Sequence, residues 1–264
     1  MLNINILVKI LTFVFLLQTS GFCGVTFDAT NDIITTTSNA SLDDMNTSGT
    51  GITVSAWINS AGDGEGGFGS IVNKINGFTD SGMWTFQLEG SEELAFVKDK
   101  ATSNMLRKSA TGVVSHGTWT HVLMTWDAGT AATGIKFYVN GAETTYGTTT
   151  DGSGSLRSDA SLTLNIGAFG DTSSTFNGVI TEVAVFNRVL SANEITDLAK
   201  SKVKMLPLQF NSSTSLKGYW PIDECGDGVT CSTASMFKDY SGNANHGSPA
   251  GSPTGLAEAV LSYS

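Results

Sequence analysis

Gly178-Val179-Ile180-Thr181-Glu182-Val183-Ala184-Val185-Phe186 is the stretch that decides the fold. Side chains of an extended chain point alternately to two faces. Here Val179, Val183 and Val185 fall on one face, and Ile180, Ala184 and Phe186 on the other. A strand apolar on both faces must be covered on both. The stretch is therefore expected at the centre of a layered β-structure. Just after it, Ser191 and Glu194 have the spacing of a capping box, in which each side chain satisfies the other's free amide. That predicts a helix over 191–202, with Ile195, Leu198 and Ala199 as its apolar stripe. Lys200, Lys202 and Lys204 lie near its C-terminus, where cations are favoured.

Outward from this point the two-residue alternation recurs. In 52–60, Val54, Ala56 and Ile58 oppose Ser55, Trp57 and Asn59. In 83–89, Trp84, Phe86 and Leu88 oppose Thr85, Gln87 and Glu89. In 119–127, Val122, Met124 and Trp126 oppose Trp119, His121 and Leu123. The run 135–139 ends on Asn140-Gly141, a hairpin turn signal because both residues tolerate positive φ. Shorter strands are expected at 25–28, 33–37, 71–75, 94–97, 162–166 and 218–222, with a short apolar ending at 260–263. Many short strands and a single helix predict an all-β, antiparallel two-sheet jelly-roll sandwich with one short helix. No internal repeat suggests a propeller or a solenoid.

Composition agrees. The 264 residues include 30 glycines and only 4 prolines, and 14% are charged, well below the roughly 25% of an average domain. The net charge of -10 argues against nucleic acid or an anionic bilayer as partner, since both require a basic face. Residues 1–24 have the pattern of a secretory signal peptide: Lys9 as the single charge, an apolar core over 11–17, then Thr19-Ser20-Gly21. Cleavage is expected between Gly21 and Val25. Cys23 raises lipidation, but Phe22 and Ser20 are unlike the residues such a site takes. No later run approaches the length of a membrane span. A secreted, extracellular or cell-surface location follows, and there Cys225 and Cys231 are expected to form a disulfide, contributing about 2 kcal/mol across so short a loop.

Several segments together resemble the laminin-G-like (concanavalin A-like lectin/glucanase) jelly-roll family. They are Val25-Thr26-Phe27-Asp28 with Asp32 close behind, Thr53-Val54-Ser55-Ala56-Trp57-Ile58, and Gly117-Thr118-Trp119-Thr120-His121-Val122. Lys136-Phe137-Tyr138-Val139-Asn140-Gly141 and the stretch from Gly178 through Asn187-Arg188-Val189-Leu190-Ser191 complete the set. The likeness runs from residue 25 to about 200, and one domain is expected over 25–205. The segment 206–264 carries a sixth match: Tyr219-Trp220-Pro221-Ile222-Asp223-Glu224, then Asp239-Tyr240-Ser241-Gly242-Asn243-Ala244-Asn245-His246-Gly247. In many relatives such a stretch opens the domain. The tail is thus either a permuted part of the same sandwich or a truncated second domain; its shortness favours the first.

The resemblance also implies one structural calcium near the junction of first and last segments. Asp28, Asp32, Asp239 and Asn243, with Ser241, offer the oxygen donors a hard cation takes. Thr181 stands where relatives often have Asp. The alternative is that residues 239–243 form a turn whose side chains bond their own backbone. A glycanase would need paired carboxylates on one face of a strand. Glu182 stands alone, while Glu92-Glu93 and Asp43-Asp44 are adjacent and point to opposite faces. His121 is read as a structural hydrogen-bonder. No catalytic residue is expected. Sugar binding would use exposed aromatics. Trp57, Trp84, Trp119, Trp126 and Trp220 lie in strands and are expected in the core, which leaves the loop residues Phe68, Phe78, Tyr146, Phe169 and Phe176. The expected function is a secreted, non-catalytic module for a glycan or a surface glycoprotein. The alternatives are a structural or adhesive element that self-associates in a surface layer, appendage or virion, and, behind it, a polysaccharide hydrolase.

Overall fold

The computed structural model describes residues 22–37, 40–45, 51–77, 79–200, 208–209 and 215–259. The first half of the chain forms β1 (Phe22–Asp28), β2 (Ile33–Thr36), β3 (Ile52–Ser60), β4 (Phe68–Lys74), β5 (Trp84–Glu89), β6 (Glu93–Lys98), β7 (Met105–Ser109) and β8 (Trp119–Trp126). Then follow β9 (Ile135–Val139), β10 (Ala142–Glu143), β11 (Tyr146–Thr150), β12 (Asn165–Ile166), β13 (Asn177–Phe186) and the helix α1 (Ala192–Lys200). The tail adds β14 (Leu216–Trp220), β15 (Gly247–Ala250) and β16 (Thr254–Ala259).

These strands make two sheets of eight strands each. One has the order β10-β9-β8-β3-β13-β1-β16, with β14 also on β13; the other is β11-β7-β6-β5-β4-β12-β2-β15. The strand pairs are antiparallel, so this is the jelly-roll sandwich that the alternation predicts. The inner faces meet in one core. Val54, Ala56, Ile58, Val122, Met124 and Trp126 come from the first sheet, and Val72, Trp84, Phe86, Leu88, Leu94 and Phe96 from the second. Aromatic pairs bridge the two: Phe86 stacks on Phe137 with centroids 6.1 Å apart, and Phe96 meets Trp126 at 5.9 Å.

β13 departs from strict alternation at one point. Glu182 has φ 52°. Thr181 faces Trp57 and Ala184 faces Ser55, so three steps on β13 match two on β3. The extra residue is a β-bulge, which moves later side chains to the opposite face. Ile180, Val183 and Val185 therefore share the central core, while Ala184 and Phe186 face outward into a second cluster. This corrects the faces expected from the sequence, where Ile180 stood with Ala184 and Phe186.

The bulge divides one edge of β13 between two partners. β1 pairs with its first half, Val25 to Ile180 through Asp28 to Asn177. β14 pairs with its second half, Val183 to Trp220 through Phe186 to Leu216. At the join, Tyr219 donates its hydroxyl to Glu182 at 2.6 Å, and the Thr181 hydroxyl donates to the Pro221 carbonyl at 2.7 Å. A Cβ on Gly24 would lie 2.9 Å from the Ile180 carbonyl oxygen, so the close approach of β1 requires a glycine there. β15 completes the second sheet on β2, and β16 pairs with β1.

The helix covers the outer face of the first sheet. Ile195 and Leu198 pack with Leu123, Phe186 and Tyr219. Its capping box is present: the Ser191 amide donates to Glu194 at 2.8 Å and the Glu194 amide to the Ser191 hydroxyl at 3.4 Å. Arg188 grips the same carboxylate at 2.9 and 2.6 Å. That grip is the main cause of its pKa falling to about 2. Lys202, Lys204 and the apolar ending 260–263 lie outside the described residues, as does the expected leader except Phe22, Cys23 and Gly24, which open β1.

His121 is fully buried on the same outer face, its Nε2 2.9 Å from the Ser55 hydroxyl and its ring edge-on to Trp57. Burial pushes its pKa down to about 3. In the unfolded chain a histidine titrates near 6.5. Between these values the unfolded state binds a proton that the folded ring does not, so stability falls as pH drops below about 6.5, by about 1.4 kcal/mol per pH unit. Unfolding from about pH 7 to pH 5 should show a loss of about 2 kcal/mol in the wild type that His121→Gln lacks; equal pH slopes in the two proteins would contradict this.

Candidate functional site

With α1 on one sheet, the outer face of the other sheet, over β4 to β7, is left open. Its side chains follow from the register. Phe68 lies opposite Glu89, and Asn73 opposite Thr85. Across the next ladder, Glu89 faces Glu93, Gln87 faces Ala95, and Thr85 faces Val97. Ala95 in turn faces Lys108, and Val97 faces Leu106. Of these, Phe68, Thr85, Gln87, Glu89, Val97, Leu106 and Lys108 line a hollow of about 340 Å³, and Glu93 adjoins it through Lys108.

A polar row forms the floor along β5. The Thr85 hydroxyl donates to Gln87 Oε1 at 3.0 Å, and Gln87 Nε2 donates to Glu89 Oε1 at 2.7 Å. All three side chains are buried. At one end of the row Lys108 bridges two carboxylates, Glu89 in close contact and Glu93 at 3.5 Å. Phe68 stands beside this end and is 40% exposed. At the other end the lining is aliphatic, with Ile75, Met83 and Val97. The row is preorganised, since each side chain is fixed by the next, and the walls are apolar. Few polar groups converging in a mostly apolar concavity are what small-ligand sites look like.

The loop aromatics separate sharply. Phe169 and Phe176 are fully buried, which corrects their place as candidate platforms. Phe176 packs into the central core, and Phe169 packs with Ile75, Met83 and Leu162. Tyr146 is half-buried, with the Arg107 guanidinium 3.5 Å above its ring. Phe78 lies outside the described residues. Phe68 remains exposed. Of the tryptophans, Trp84, Trp126 and Trp220 are in the central core, Trp57 packs against His121, and Trp119 is partly exposed.

The four expected cation ligands fall into two groups. Asp32 accepts from the Asp28 amide at 3.1 Å and the Ser252 amide at 2.6 Å, and Asp28 accepts from the Thr30 amide at 3.0 Å. Burial pushes the Asp32 carboxyl up from its ordinary value, and the Ser252 amide opposes this. Asp239 accepts from the Tyr219, Ser241 and Asn245 amides and the Ser241 hydroxyl, at 2.8 to 3.0 Å. A carboxylate has about four acceptor positions, and these donors fill them. Asn243 donates to the Leu216 and Lys217 carbonyls. Asp28 sits opposite Asn177, and Asp239 is bonded to Tyr219, opposite Ala184. With the bulge residue adding no length, the six remaining steps at about 3.3 Å each set the two groups about 20 Å apart along β13, so the four side chains do not meet. Among the described residues no cluster of three or more His, Cys, Asp or Glu is placed to hold a metal.

The acidic pairs are likewise separated. Asp43 pairs with Lys74 at 2.9 Å, while Asp44 accepts from the Ser158 hydroxyl and the Asp159 amide. Glu182 is tied to Tyr219. The pair the sequence reading missed is Glu89 with Glu93, brought face to face by the β5–β6 hairpin. Cys225 and Cys231 are joined, with Cα atoms 5.8 Å apart. Among the described residues no helix is long and apolar enough to cross a membrane.

Comparison with known proteins gives the fold a family. A candidate carbohydrate binding protein from Bacteroides ovatus superposes with a TM-score of 0.55 at 18% identity, over 91% of this chain and 62% of that one. This chain thus spans less than two thirds of that protein. The CBM40 of the Ruminococcus gnavus IT-sialidase, bound to α2,3-sialyllactose, gives 0.45 at 12% identity, over 67% of this chain and 96% of the other. A heptameric SAP-like pentraxin from Limulus polyphemus gives 0.40 at 13%, over 69% and 83%. At such identities the likeness is one of fold. No curated protein matches in sequence. The profile of the Laminin_G_3 family matches residues 29–196, and the chain belongs to this family of the concanavalin A-like lectin/glucanases superfamily.

Proposed function

We propose that the protein is an exported, non-catalytic module that binds a glycan in the hollow on β4 to β7. The single observation that carries this reading is the exposed Phe68 ring standing beside a fixed polar row. A pyranose presents an apolar face of C–H groups and a rim of hydroxyls. Phe68 matches the first, and Gln87, Glu89 and Asn104 supply partners for the second. The fold shared with the Bacteroides ovatus candidate binder is in keeping with it. The disulfide suits an oxidising compartment, as does the leader pattern of 1–24.

Hydrolysis fits the site less well. Two catalytic carboxylates need open space between them for the scissile bond and, in inverting enzymes, for water. Between Glu89 and Glu93 that space holds the Lys108 ammonium. We also propose that 206–264 is a permuted part of the one domain, and that the turn at 239–243 keeps its shape without calcium, because Asp239 is already saturated by donors of its own chain.

Two measurements test these points. Phe68→Ala should weaken binding to the oligosaccharide selected on a glycan array by about tenfold, in line with the 1–2 kcal/mol of an aromatic platform. Unchanged affinity would remove the hollow as the site, and ordered self-assembly without any glycan binding would favour a structural role instead. Melting temperatures in millimolar calcium and in chelator should coincide; a clear rise with calcium would overturn the calcium-free turn.

A further inference from the structure

The charges around the hollow say which glycans it accepts, given the reading of the hollow as a glycan site. Among the described residues lining it, Lys108 is the one cation. It is not available to a ligand anion, because Glu89 and Glu93 both hold it. These two side chains lie opposite each other on adjacent strands and face outward. The carboxylates are 7% and 18% exposed, and the lysine is 24% exposed. The triangle therefore presents one net negative charge at the Phe68 end of the floor. The remaining polar lining is neutral, namely Thr85, Gln87 and Asn104.

An anionic sugar needs a free cation or a fan of N–H donors to replace the water it loses. Here a sialic acid or uronate carboxylate would meet the Glu89 carboxylate and an ammonium already occupied by Glu89 and Glu93. A neutral sugar meets a better match. Its hydroxyls are donors, and ionised carboxylates accept strong hydrogen bonds from them. Glu89 and Glu93, bridged by Lys108, supply carboxylate oxygens that can accept from such hydroxyls. The chain's overall charge of -10 acts in the same direction at longer range.

We infer that the hollow selects neutral oligosaccharides and excludes sialylated and uronate-bearing ones, with Glu89 and Glu93 as the selecting residues. Glu93 is the lever, because Glu93→Gln takes the net charge of the triangle from -1 to zero while Glu89 keeps Lys108 and the polar row stays in place.

The test is a glycan array on which each neutral oligosaccharide stands beside its sialylated or uronate-capped counterpart, probed with the full chain and with Glu93→Gln. The wild type should bind neutral members at least about tenfold better than their capped counterparts. Glu93→Gln should narrow that gap roughly threefold to tenfold by raising affinity for the capped glycans. Capped glycans bound as tightly as neutral ones would overturn the selectivity and leave the hollow as a glycan site. An unchanged gap in Glu93→Gln would overturn the part given to Glu93 and Lys108. Binding to no glycan at all would overturn the site itself.

Discussion

The pairing of β13 along both its edges is the constraint on which the rest of the structure depends. One edge is taken whole by β3. The other is shared, with β1 before the bulge and β14 after it. The bulge at Glu182 makes the sharing workable. It turns Val183 and Val185 into the core beside Ile180 and sends Ala184 and Phe186 outward to meet the helix. It also presents a carboxylate to Tyr219, which binds the tail strand at the join. A single inserted residue thus sets the core face, the helix seat and the meeting of two segments from opposite ends of the chain.

That arrangement leaves the two sheets unlike on the outside. The helix-bearing sheet is sealed by apolar packing, while the other carries a row of buried polar groups under an open hollow. Few cations exist in this chain, 14 in all, and several are buried where they fix backbone. Lys98 donates to the Gly82 and Arg157 carbonyls, and burial pushes its pKa down to about 8. Lys74 holds Asp43 and Asp159, and Arg107 donates to the Thr133 and Ile135 carbonyls. Cations spent on internal bonds are not offered to ligands. The polarity of the hollow is therefore set by acceptors and neutral amides, and this shapes what it can bind.

Much of the fold was legible because alternation is a local property. β3 and β8 sit almost where their side-chain patterns place them, with Val54, Ala56, Val122 and Met124 inward. The capping box at Ser191 was equally local, as was the Cys225–Cys231 bridge. β7 was missed because Arg107 occupies an inward position, where its guanidinium is bonded to carbonyls and stacked on Tyr146; a charge there hides the apolar period. β15 and β16 were missed because both are edge strands, paired with distant β2 and β1, and their glycine, proline and alanine residues carry little apolar alternation. The site was least visible. Glu89 and Glu93 belong to separate strands, and only the hairpin register sets them opposite each other with Lys108 between. Phe169 and Phe176 misled for the converse reason: a loop that folds inward buries residues that sequence position alone marks as exposed.

The most direct test of the central claim is the stability of a chain ending at residue 205, which lacks β14, β15 and β16. Without them the second half of one β13 edge, the outer side of β2 and the partner of β1 would all stand unpaired. Such a chain should show no cooperative thermal unfolding and should aggregate. A sharp transition at the melting temperature of the full chain would contradict the account, since the core would then stand without its tail strands.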